Sequence, residues 1–234
     1  MTFRGENHKR AALITGGSSG IGLAIARVLA EEGFDLTLVS RRKEKVEAAA
    51  AELGAHAVAA DLSSPDGCAP VVPAHMDKWG RLDVLVNSAG IGIGGRVEEI
   101  EIKHAGLQIA VNLGGTFIVT QAAIPHLRET RGLIVNLASI AGTIPTPGLA
   151  IYGATKAAGI ALTRSLNAEL EGDGIRATAI SPGFVDTPMA AWSGLSTEEM
   201  IQPEDCAEIV RLLLRLSPRA RIPNVVVQRL GDDV

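Results

Sequence analysis

A glycine-rich segment near the start of the chain joins an apolar run of strand length to a helical pattern. The apolar run covers residues 11–14, and the helical pattern starts at Ile21 and places Ile25, Val28 and Leu29 on one face. Between them lies the sequence Thr15-Gly16-Gly17-Ser18-Ser19-Gly20-Ile21-Gly22. Glycines at such a turn let the backbone approach a phosphate group bound at the positive N-terminus of the helix. The segment predicts a nucleotide site; the alternative is a tight turn that uses glycine only for its backbone freedom.

Short apolar runs alternate with helical patterns along the rest of the chain. Further strands are predicted at residues 36–39, 57–60, 84–86, 133–137, 177–180 and 225–227. Helices are predicted at residues 44–53, 64–79, up to about 127, 152–170 and 203–214. This alternation is typical of a parallel sheet with helices on both faces. We therefore predict a single α/β domain, a Rossmann-type doubly wound parallel sheet of about seven strands, over residues 11–234, preceded by a flexible N-terminal arm at residues 1–10.

The composition excludes several other classes of protein. Hydrophobic residues make up 47% of the 234 residues, as in ordinary globular proteins. A net charge of -4 and a pI near 5.8 argue against a nucleic-acid partner. No apolar run reaches the roughly 18 residues of a membrane span, and the polar start does not form a secretory signal. Because Cys68 and Cys206 lie far apart, we expect no metal site and a cytoplasmic location.

The end of the second predicted strand carries basic residues where many dinucleotide sites carry an acid. An acid there would hold the hydroxyls of the adenosine ribose, but this chain has Ser40, Arg41 and Arg42. Guanidinium groups and a hydroxyl bind a 2′-phosphate, which a carboxylate would repel. The alternative is a solvated helix start, although basic residues in a first turn oppose the helix dipole. The pattern favours NADP(H) over NAD(H).

Tyr152 and Lys156 lie four residues apart, on one face of a predicted helix. A nearby ammonium lowers the pKa of a phenol, so we expect Tyr152 to titrate below its ordinary pKa of about 10. Such a phenol can exchange a proton with a carbonyl or alcohol oxygen. Pairs of this spacing also occur by chance, but Tyr152 is the only tyrosine of the chain. Ser139 follows the fifth strand and is a candidate donor to the same oxygen or a turn residue, while Asn112 is ambiguous.

Taken together, these residues resemble the motif pattern of the short-chain dehydrogenases. The matching positions are the glycine-rich turn, Asn87-Ser88-Ala89-Gly90, Asn112, Ser139, Tyr152 with Lys156, and Ser181-Pro182-Gly183 with Thr187. The resemblance covers residues 10–215. It implies that Tyr152 is the general acid/base and that Ser139 positions the substrate oxygen. It also implies that Lys156 binds the nicotinamide ribose and lowers the tyrosine pKa, and that Asn112 holds a water that links the lysine to solvent.

The same resemblance implies where the cofactor and the substrate bind. A set of residues along the strand ends would contact the cofactor: Gly16, Ser18, Ser19, Gly20, Ile21, Gly22, Ser40, Arg41, Arg42, Asp61, Leu62, Asn87, Ala89, Gly90, Tyr152, Lys156, Pro182, Gly183, Val185 and Thr187. Residues 187–200 would form a mobile substrate lid. Two departures from the family pattern are Ser88, where paired asparagines are commoner, and the absence of an Asp-Gly-Gly ending. The second departure argues against close analogy to the acyl-chain reductases.

Two further points follow from these residues. The substrate is expected to be a neutral or hydrophobic ketone or alcohol, because the candidate pocket positions are mostly apolar: Ile91, Ile93, Ile140, Ile144, Leu149, Phe184 and Trp192. The resemblance implies a homodimer or homotetramer built on the helix that begins near Tyr152, with Ala157, Ile160, Ala161 and Leu166 on its apolar faces, and on the helix near Asn112.

The alternatives to an oxidoreductase are a catalytically silent cofactor-sensing regulator of the same fold and a methyltransferase. The methyltransferase leaves Tyr152, Lys156 and Ser139 unexplained.

Overall fold

Seven parallel strands form one sheet in the computed structural model, which describes residues 9–231. The strands are β1 (Ala11–Thr15), β2 (Asp35–Ser40), β3 (His56–Ala59), β4 (Val84–Asn87), β5 (Leu133–Leu137), β6 (Arg176–Pro182) and β7 (Asn224–Val227). Their order across the sheet is β3-β2-β1-β4-β5-β6-β7, with every neighbouring pair parallel. The chain therefore starts in the middle of the sheet, builds one half and then builds the other. This arrangement confirms the predicted doubly wound α/β fold.

Helices cover both faces of the sheet. They are α1 (Gly20–Glu31), α2 (Lys43–Leu53), α3 (Pro65–Cys68), α4 (Val71–Trp79), α5 (Ile102–Ile109), α6 (Thr116–Thr130), α7 (Ala150–Glu169) and α8 (Pro203–Arg215). One hydrophobic core includes buried residues of α1, α2 and α8, and a second includes residues of α4, α6 and α7. Alternate residues of β1 serve the two cores: Ala12 and Ile14 the first, Leu13 the second. Strands buried on both faces read as continuous apolar runs, which is why the sequence revealed them.

Two predicted helices differ in detail from those observed. The irregular helix at 64–79 is divided into α3 and α4, with Pro70 at the start of the second helix. The long helix expected before residue 127 starts only at Ile102, because a glycine-rich loop follows β4. Between α5 and α6, a π-helical turn (Ala110–Gly115) keeps the helix continuous. π turns of this kind are often found at functional sites.

The continuous helical stretch Ile102–Thr130 is the one stretch within residues 9–231 that could cross a membrane by length and composition. It contains the buried polar residues Gln108, Asn112 and Thr120. Its α6 part also contributes Val119 and Ala123 to the second core. The stretch is therefore a core helix of the folded domain.

Most of the predicted N-terminal arm lies outside the described residues, which start at Lys9. Lys9 and Arg10, the last two residues of that arm, contact the body of the domain. Lys9 Nζ lies 2.9 Å from a carboxylate oxygen of Asp35, and the Arg10 guanidinium lies 4.2 Å from the centre of the Phe34 ring. These two contacts hold Lys9 and Arg10 against the folded domain.

A fully buried histidine links α4 to the sheet. His75 Nε2 donates to the carbonyl oxygen of Arg81 at 2.9 Å, and Nδ1 lies 2.8 Å from Thr37 Oγ1, which also accepts from Trp79 Nε1. A carbonyl can only accept, so Nε2 carries the proton and Nδ1 accepts from the threonine hydroxyl. Burial lowers the pKa of His75 to about 4 from its ordinary 6.5. The folded chain therefore holds this side chain neutral.

We expect His75 to make the protein less stable in mild acid. Its folded pKa lies below its unfolded pKa, so its stabilising effect is complete above pH 6.5 and is lost as the pH falls from 6.5 to about 4. The loss reaches about 3 kcal/mol in the free energy of unfolding. Denaturant unfolding across this range should give a steeper pH dependence for the native chain than for His75→Gln. The partly exposed His104→Gln is the control, and equal slopes for the native chain and His75→Gln would contradict the analysis.

Candidate active site

Two adjoining cavities lie at the carboxyl ends of the strands, where parallel sheets place their ligands. The larger has a volume of about 460 Å³ and runs past the ends of β1 and β2, and the smaller has about 160 Å³ and lies beyond β5 and β6. Their walls share six residues: Ile21, Ser88, Gly90, Gly92, Thr187 and Met189. The larger cavity is lined by most predicted cofactor positions, and the smaller by three of the four predicted catalytic positions. The two cavities therefore form one continuous site, with the predicted cofactor residues at one end and the predicted catalytic residues at the other.

The N-terminus of α1 faces the larger cavity without a cap from the protein. Ser19 is the N-cap residue, but its side chain makes no capping hydrogen bond, and the first turn of α1 contains no acidic residue. Its first backbone N–H groups and the positive helix end are thus available to an anion. Gly16, with φ of +68°, lets the turn pass close to the loop after β4, because a Cβ there would lie 2.8 Å from Ala89 N. This arrangement fits the pyrophosphate of a dinucleotide.

The far end of the larger cavity carries the basic residues after β2. Ser40, Arg41 and Arg42 line it, opposite Asp61 and Leu62. Both arginines are exposed, and within residues 9–231 no carboxylate forms an ion pair with either. Their guanidinium groups remain available to a bound anion. The residues present therefore fit a dinucleotide that carries an additional phosphate near its adenosine ribose.

The smaller cavity brings together three polar side chains from different elements. Tyr152 and Lys156 come from the first part of α7, and Ser139 precedes a short 3₁₀ turn (Ile140–Gly142) after β5. The Ser139 hydroxyl lies near the Tyr152 phenol; it donates to Pro182 O at 3.5 Å and accepts from Ala141 N at 3.2 Å. Lys156 Nζ donates to the carbonyl oxygen of Leu137 at 2.6 Å and lies 5.6 Å from the centre of the tyrosine ring. The structure thus assembles three of the four predicted catalytic residues around one small space.

The protein environment moves the pKa values of this pair in opposite directions. Burial raises the pKa of Tyr152, and the nearby Ser139 hydroxyl lowers it by less. Burial also lowers the pKa of Lys156 to about 8. The prediction that Tyr152 has a lowered pKa is therefore wrong for the protein without cofactor, because removal of the phenol from water outweighs the effect of neighbouring groups. A neutral phenol is the form that donates a proton.

Asn112, the fourth predicted catalytic residue, lies behind the cavity wall. Its Oδ1 accepts from Ile91 N at 2.8 Å, and its Nδ2 donates to Ile91 O at 2.9 Å and to Thr155 Oγ1 at 3.1 Å. These bonds tie the π-helical turn to both the loop after β4 and α7. The side chain thus fixes the relative position of the two walls that flank Lys156. A bound water on Asn112 remains a prediction.

Two of the predicted cofactor residues, Asn87 and Gly22, line neither cavity. Asn87 was expected to line the cofactor, but its side chain is buried and its Nδ2 donates to Thr120 and Asn136, each at 2.9 Å. Gly22 lines neither cavity; a side chain there would collide with the carbonyl oxygen of Gly16. The remaining predicted cofactor residues line one cavity or both: Gly16, Ser18, Ser19, Gly20, Ile21, Ser40, Arg41, Arg42, Asp61, Leu62, Ala89, Gly90, Tyr152, Lys156, Pro182, Gly183, Val185 and Thr187.

Sequence reasoning missed several residues of this region. Asn136 is a polar residue inside the apolar strand β5, and it joins Asn87 to Thr163 of α7. Its position in an otherwise apolar run was a signal that could have revealed it. Thr146 and Met189 line the smaller cavity and were not predicted as pocket residues.

The predicted substrate pocket is partly correct. Ile140, Leu149, Phe184 and Trp192 line the smaller cavity, and Ile91 lines the larger one. Ile93 and Ile144 line neither cavity, so their assignment to the pocket was wrong. Ile93 contributes its backbone instead, since its N–H donates to Gln108 Oε1 at 3.1 Å.

Comparison with known proteins supports the family suggested by these features. Residues 10–196 match the short chain dehydrogenase family. An uncharacterised oxidoreductase from Staphylococcus epidermidis is 35% identical over 223 residues, covering 94% of this chain and 97% of that protein. A solved alcohol dehydrogenase from Thermococcus sibiricus, complexed with 5-hydroxy-NADP, is 31% identical with a TM-score of 0.89, covering 96% of this chain and 98% of its own. A 3-ketoacyl-(acyl-carrier-protein) reductase from Brucella melitensis, complexed with NADH, is 31% identical with a TM-score of 0.87. The match covers 95% of this chain and 97% of the reductase chain.

The chain therefore belongs to the short-chain dehydrogenase family. The match covers the glycine-rich turn, the catalytic cluster and the strands that carry them, so it confirms the family predicted from the motifs. The structural relatives also share the seven-strand parallel sheet with its flanking helices. The fold and the family membership both support an oxidoreductase.

The lone tyrosine provides a direct test of the electrostatics. Ultraviolet titration of tyrosinate should give a midpoint above about 10 for the protein alone, because burial raises the pKa of Tyr152. Oxidised cofactor should lower this midpoint through the positive charge of its nicotinamide. Tyr152→Phe removes the signal and leaves the tryptophan background, and circular dichroism at each pH checks that the fold persists. A midpoint above 10 with oxidised cofactor bound would count against an acid/base role.

Proposed function

We propose that the chain is an enzyme that transfers a hydride between NADP(H) and a carbonyl or alcohol substrate, with Tyr152 as general acid/base. The observation that carries this proposal is the meeting of Tyr152, Ser139 and Lys156 at the junction between the nucleotide cavity and a small, mostly apolar one. The structural relatives complexed with 5-hydroxy-NADP and NADH support a nicotinamide cofactor. A cytoplasmic location accords with two free, buried cysteines.

The side chains divide the reaction between them. A nicotinamide dinucleotide held by the residues of the larger cavity would supply the hydride for a carbonyl carbon, or accept the hydride of an alcohol carbon. Ser139 donates a hydrogen bond to the substrate oxygen, and the Tyr152 phenol donates the proton that turns this oxygen into a hydroxyl. In the opposite direction the phenolate accepts that proton. Lys156 holds the ribose side of the site and places positive charge near the phenolate, which its buried ammonium stabilises.

A carbonyl panel followed by NADPH absorbance tests this function. We expect turnover of at least one ketone, and a loss of about a hundredfold or more in kcat/KM for Tyr152→Phe, the size of a general acid/base contribution. Leu230→Ala is the control, because this side chain is 97% exposed and lines neither cavity. NADPH binding without turnover of any carbonyl would instead favour the cofactor-sensing regulator.

We further propose that NADP(H) is preferred over NAD(H). The unpaired guanidinium groups of Arg41 and Arg42 at the end of the larger cavity support this preference, together with Ser40 beside them. A 2′-phosphate placed there would gain charge-assisted hydrogen bonds, while an unphosphorylated ribose would gain none of them.

Replacement of both arginines by alanine should remove most of this preference. One charge-assisted contact contributes on the order of 1.5–3 kcal/mol, so NADPH affinity should fall at least tenfold while NADH affinity changes little. Fluorescence titration of each cofactor measures both affinities. Lys43→Ala is the matched control, since Lys43 is the next residue, is exposed and lies outside the cavity. Equal affinities of the unmutated protein for the two cofactors would refute the proposal.

We also propose that the chain forms a homodimer or homotetramer through α7 and the helical stretch near Asn112. Ile160 and Leu166 of α7 were expected at this surface, but both are buried in the single chain, so of the four expected residues only Ala157 and Ala161 are exposed. On the neighbouring stretch, Ile102, Ile109 and Phe117 are 87%, 45% and 49% exposed. Apolar exposure of this kind marks interaction surfaces.

Sedimentation velocity at micromolar concentration measures the assembly. Phe117→Glu should dissociate it, because a carboxylate would be buried in an apolar contact, whereas Phe117→Leu should leave it intact. A stable monomer of the unmutated chain would contradict this proposal.

Residues 187–200 are proposed as the substrate lid. Their ends are held together: Asp186 N donates to Ile201 O at 2.9 Å, and Val185 pairs with Ile201 as an isolated parallel bridge. Between these anchors lie two short 3₁₀ turns, Pro188–Ala190 and Thr197–Glu199, with mostly exposed side chains. A segment fixed at both ends and lightly packed between them can move over the smaller cavity.

A further inference from the structure

The outer part of the smaller cavity is lined by large apolar side chains. We call this part the apolar end and define it by Ile140, Leu149, Phe184, Met189 and Trp192. The rings of Phe184 and Trp192 meet edge to face, with centroids 5.8 Å apart and an angle of 74° between their planes. An edge-to-face pair offers its remaining ring surfaces to another aromatic or cyclic group. The apolar end thus has the chemistry of a ring-binding pocket.

Charge is almost absent from this cavity. Lys156 is its single charged lining residue within the described part of the chain, and its ammonium donates to Leu137 O on the side of Gly90, where the two cavities join. A substrate carboxylate or phosphate placed at the apolar end would lose its water without gaining a positive partner. Such desolvation is costly for an ion. The cavity therefore favours an uncharged substrate.

Trp192 and Met189 are poorly covered by the protein itself. Trp192 is 63% exposed and Met189 is 45% exposed, yet both line the cavity. Met189 lies within the first short turn of the lid segment, Pro188–Ala190, and Trp192 follows this turn. Exposed apolar side chains around a cavity mark a ligand site, because a bound apolar group would remove them from water.

Gly92 leaves room above the catalytic ring. A Cβ at this position would lie 3.5 Å from two ring carbons of Tyr152 and 3.8 Å from the Met189 sulfur. These are ordinary contact distances, and Gly92 is not among the glycines with positive φ. Neither backbone strain nor a protein contact therefore requires glycine here. The missing side chain leaves space directly beside the reacting group.

Resting on the proposed function, we propose that the natural substrate is an uncharged ketone, or the matching secondary alcohol, with an aryl ring next to the reacting carbon or a cycloalkyl ring that contains it. Phe184 and Trp192 hold this ring, and Gly92 provides the space for it above Tyr152. An acyl chain on an acidic carrier protein fits less well, since residues 187–201 contain no Lys or Arg and include the exposed Glu198 and Glu199.

Steady-state kinetics with five probes tests this substrate class. Acetophenone and cyclohexanone should give a higher kcat/KM with NADPH than acetone, pyruvate or acetoacetyl-coenzyme A. Trp192→Ala should lower kcat/KM for acetophenone about two- to tenfold, the size of one aromatic contact, with little effect on acetone. Trp192→Phe should retain most of the activity, and Leu230→Ala should change neither ratio. Preference for pyruvate or the thioester would overturn the inference and leave the hydride-transfer function standing.

Gly92→Ala tests the space beside the Tyr152 ring by adding a methyl group to the pocket. The added methyl group should lower kcat/KM for acetophenone at least about threefold more than for acetone, because it narrows the pocket without straining the backbone. NADPH affinity, measured in parallel by fluorescence, should change little. An equal loss for both ketones would show that the space at Gly92 does not select the ring.

A binding measurement separates this inference from the proposed function. Acetophenone added to the protein with NADP⁺ cannot be reduced, so it reports binding alone. Emission from Trp192 should change with saturation, and Trp192→Phe, which keeps only Trp79, should abolish the change. Saturable binding without turnover under NADPH would support the pocket and reject the enzymatic role. No saturable change with acetophenone or cyclohexanone would overturn the pocket itself.

Discussion

β1 and β4 are parallel neighbours in the sheet, but the chain continues to opposite sides after each of them. The site depends on the gap that this creates between the two loops. After β1 the chain turns into α1 and builds one half of the sheet, and after β4 it builds the other half. At the carboxyl ends of these two strands the loops therefore border an open crevice. At its floor the loops nearly touch: Gly16 has no room for a side chain against Ala89. This reversal produces the larger cavity, the exposed N-terminus of α1 and the junction between the larger and the smaller cavity.

Buried amides beneath the crevice keep its walls in register. Asn87 at the end of β4 bonds to Asn136 in β5, and Asn136 bonds in turn to Thr163 of α7. A second link runs from Asn112 to Thr155, also on α7. Buried polar groups are costly unless they are paired, so these bonds favour one arrangement of strands and helix over alternatives. As a result, Tyr152 and Lys156 are fixed relative to the strand ends.

Much of the fold and the site could be predicted because their signals are local in sequence. Buried parallel strands are continuous apolar runs, and Tyr152 and Lys156 share a helix face through their spacing. The rest depends on contacts between distant residues. The amide of Asn87 finds partners 33 and 49 residues away, which no pattern reveals, so its side chain was misplaced in the cofactor site. The sign of the Tyr152 pKa shift was wrong because sequence shows the neighbouring charge but not the loss of water.

The burial of Lys156 also has a consequence for the life of the folded chain. Keeping an ammonium away from water weakens the native state, as the lowered pKa of this group shows. An anionic dinucleotide binds the native state and not the unfolded one, so it restores stability by mass action. The population of folded molecules, and with it their resistance to proteolysis, is therefore tied to the cofactor concentration around them. The burial of this one ammonium thus makes the abundance of the protein depend more strongly on the supply of a dinucleotide that binds it.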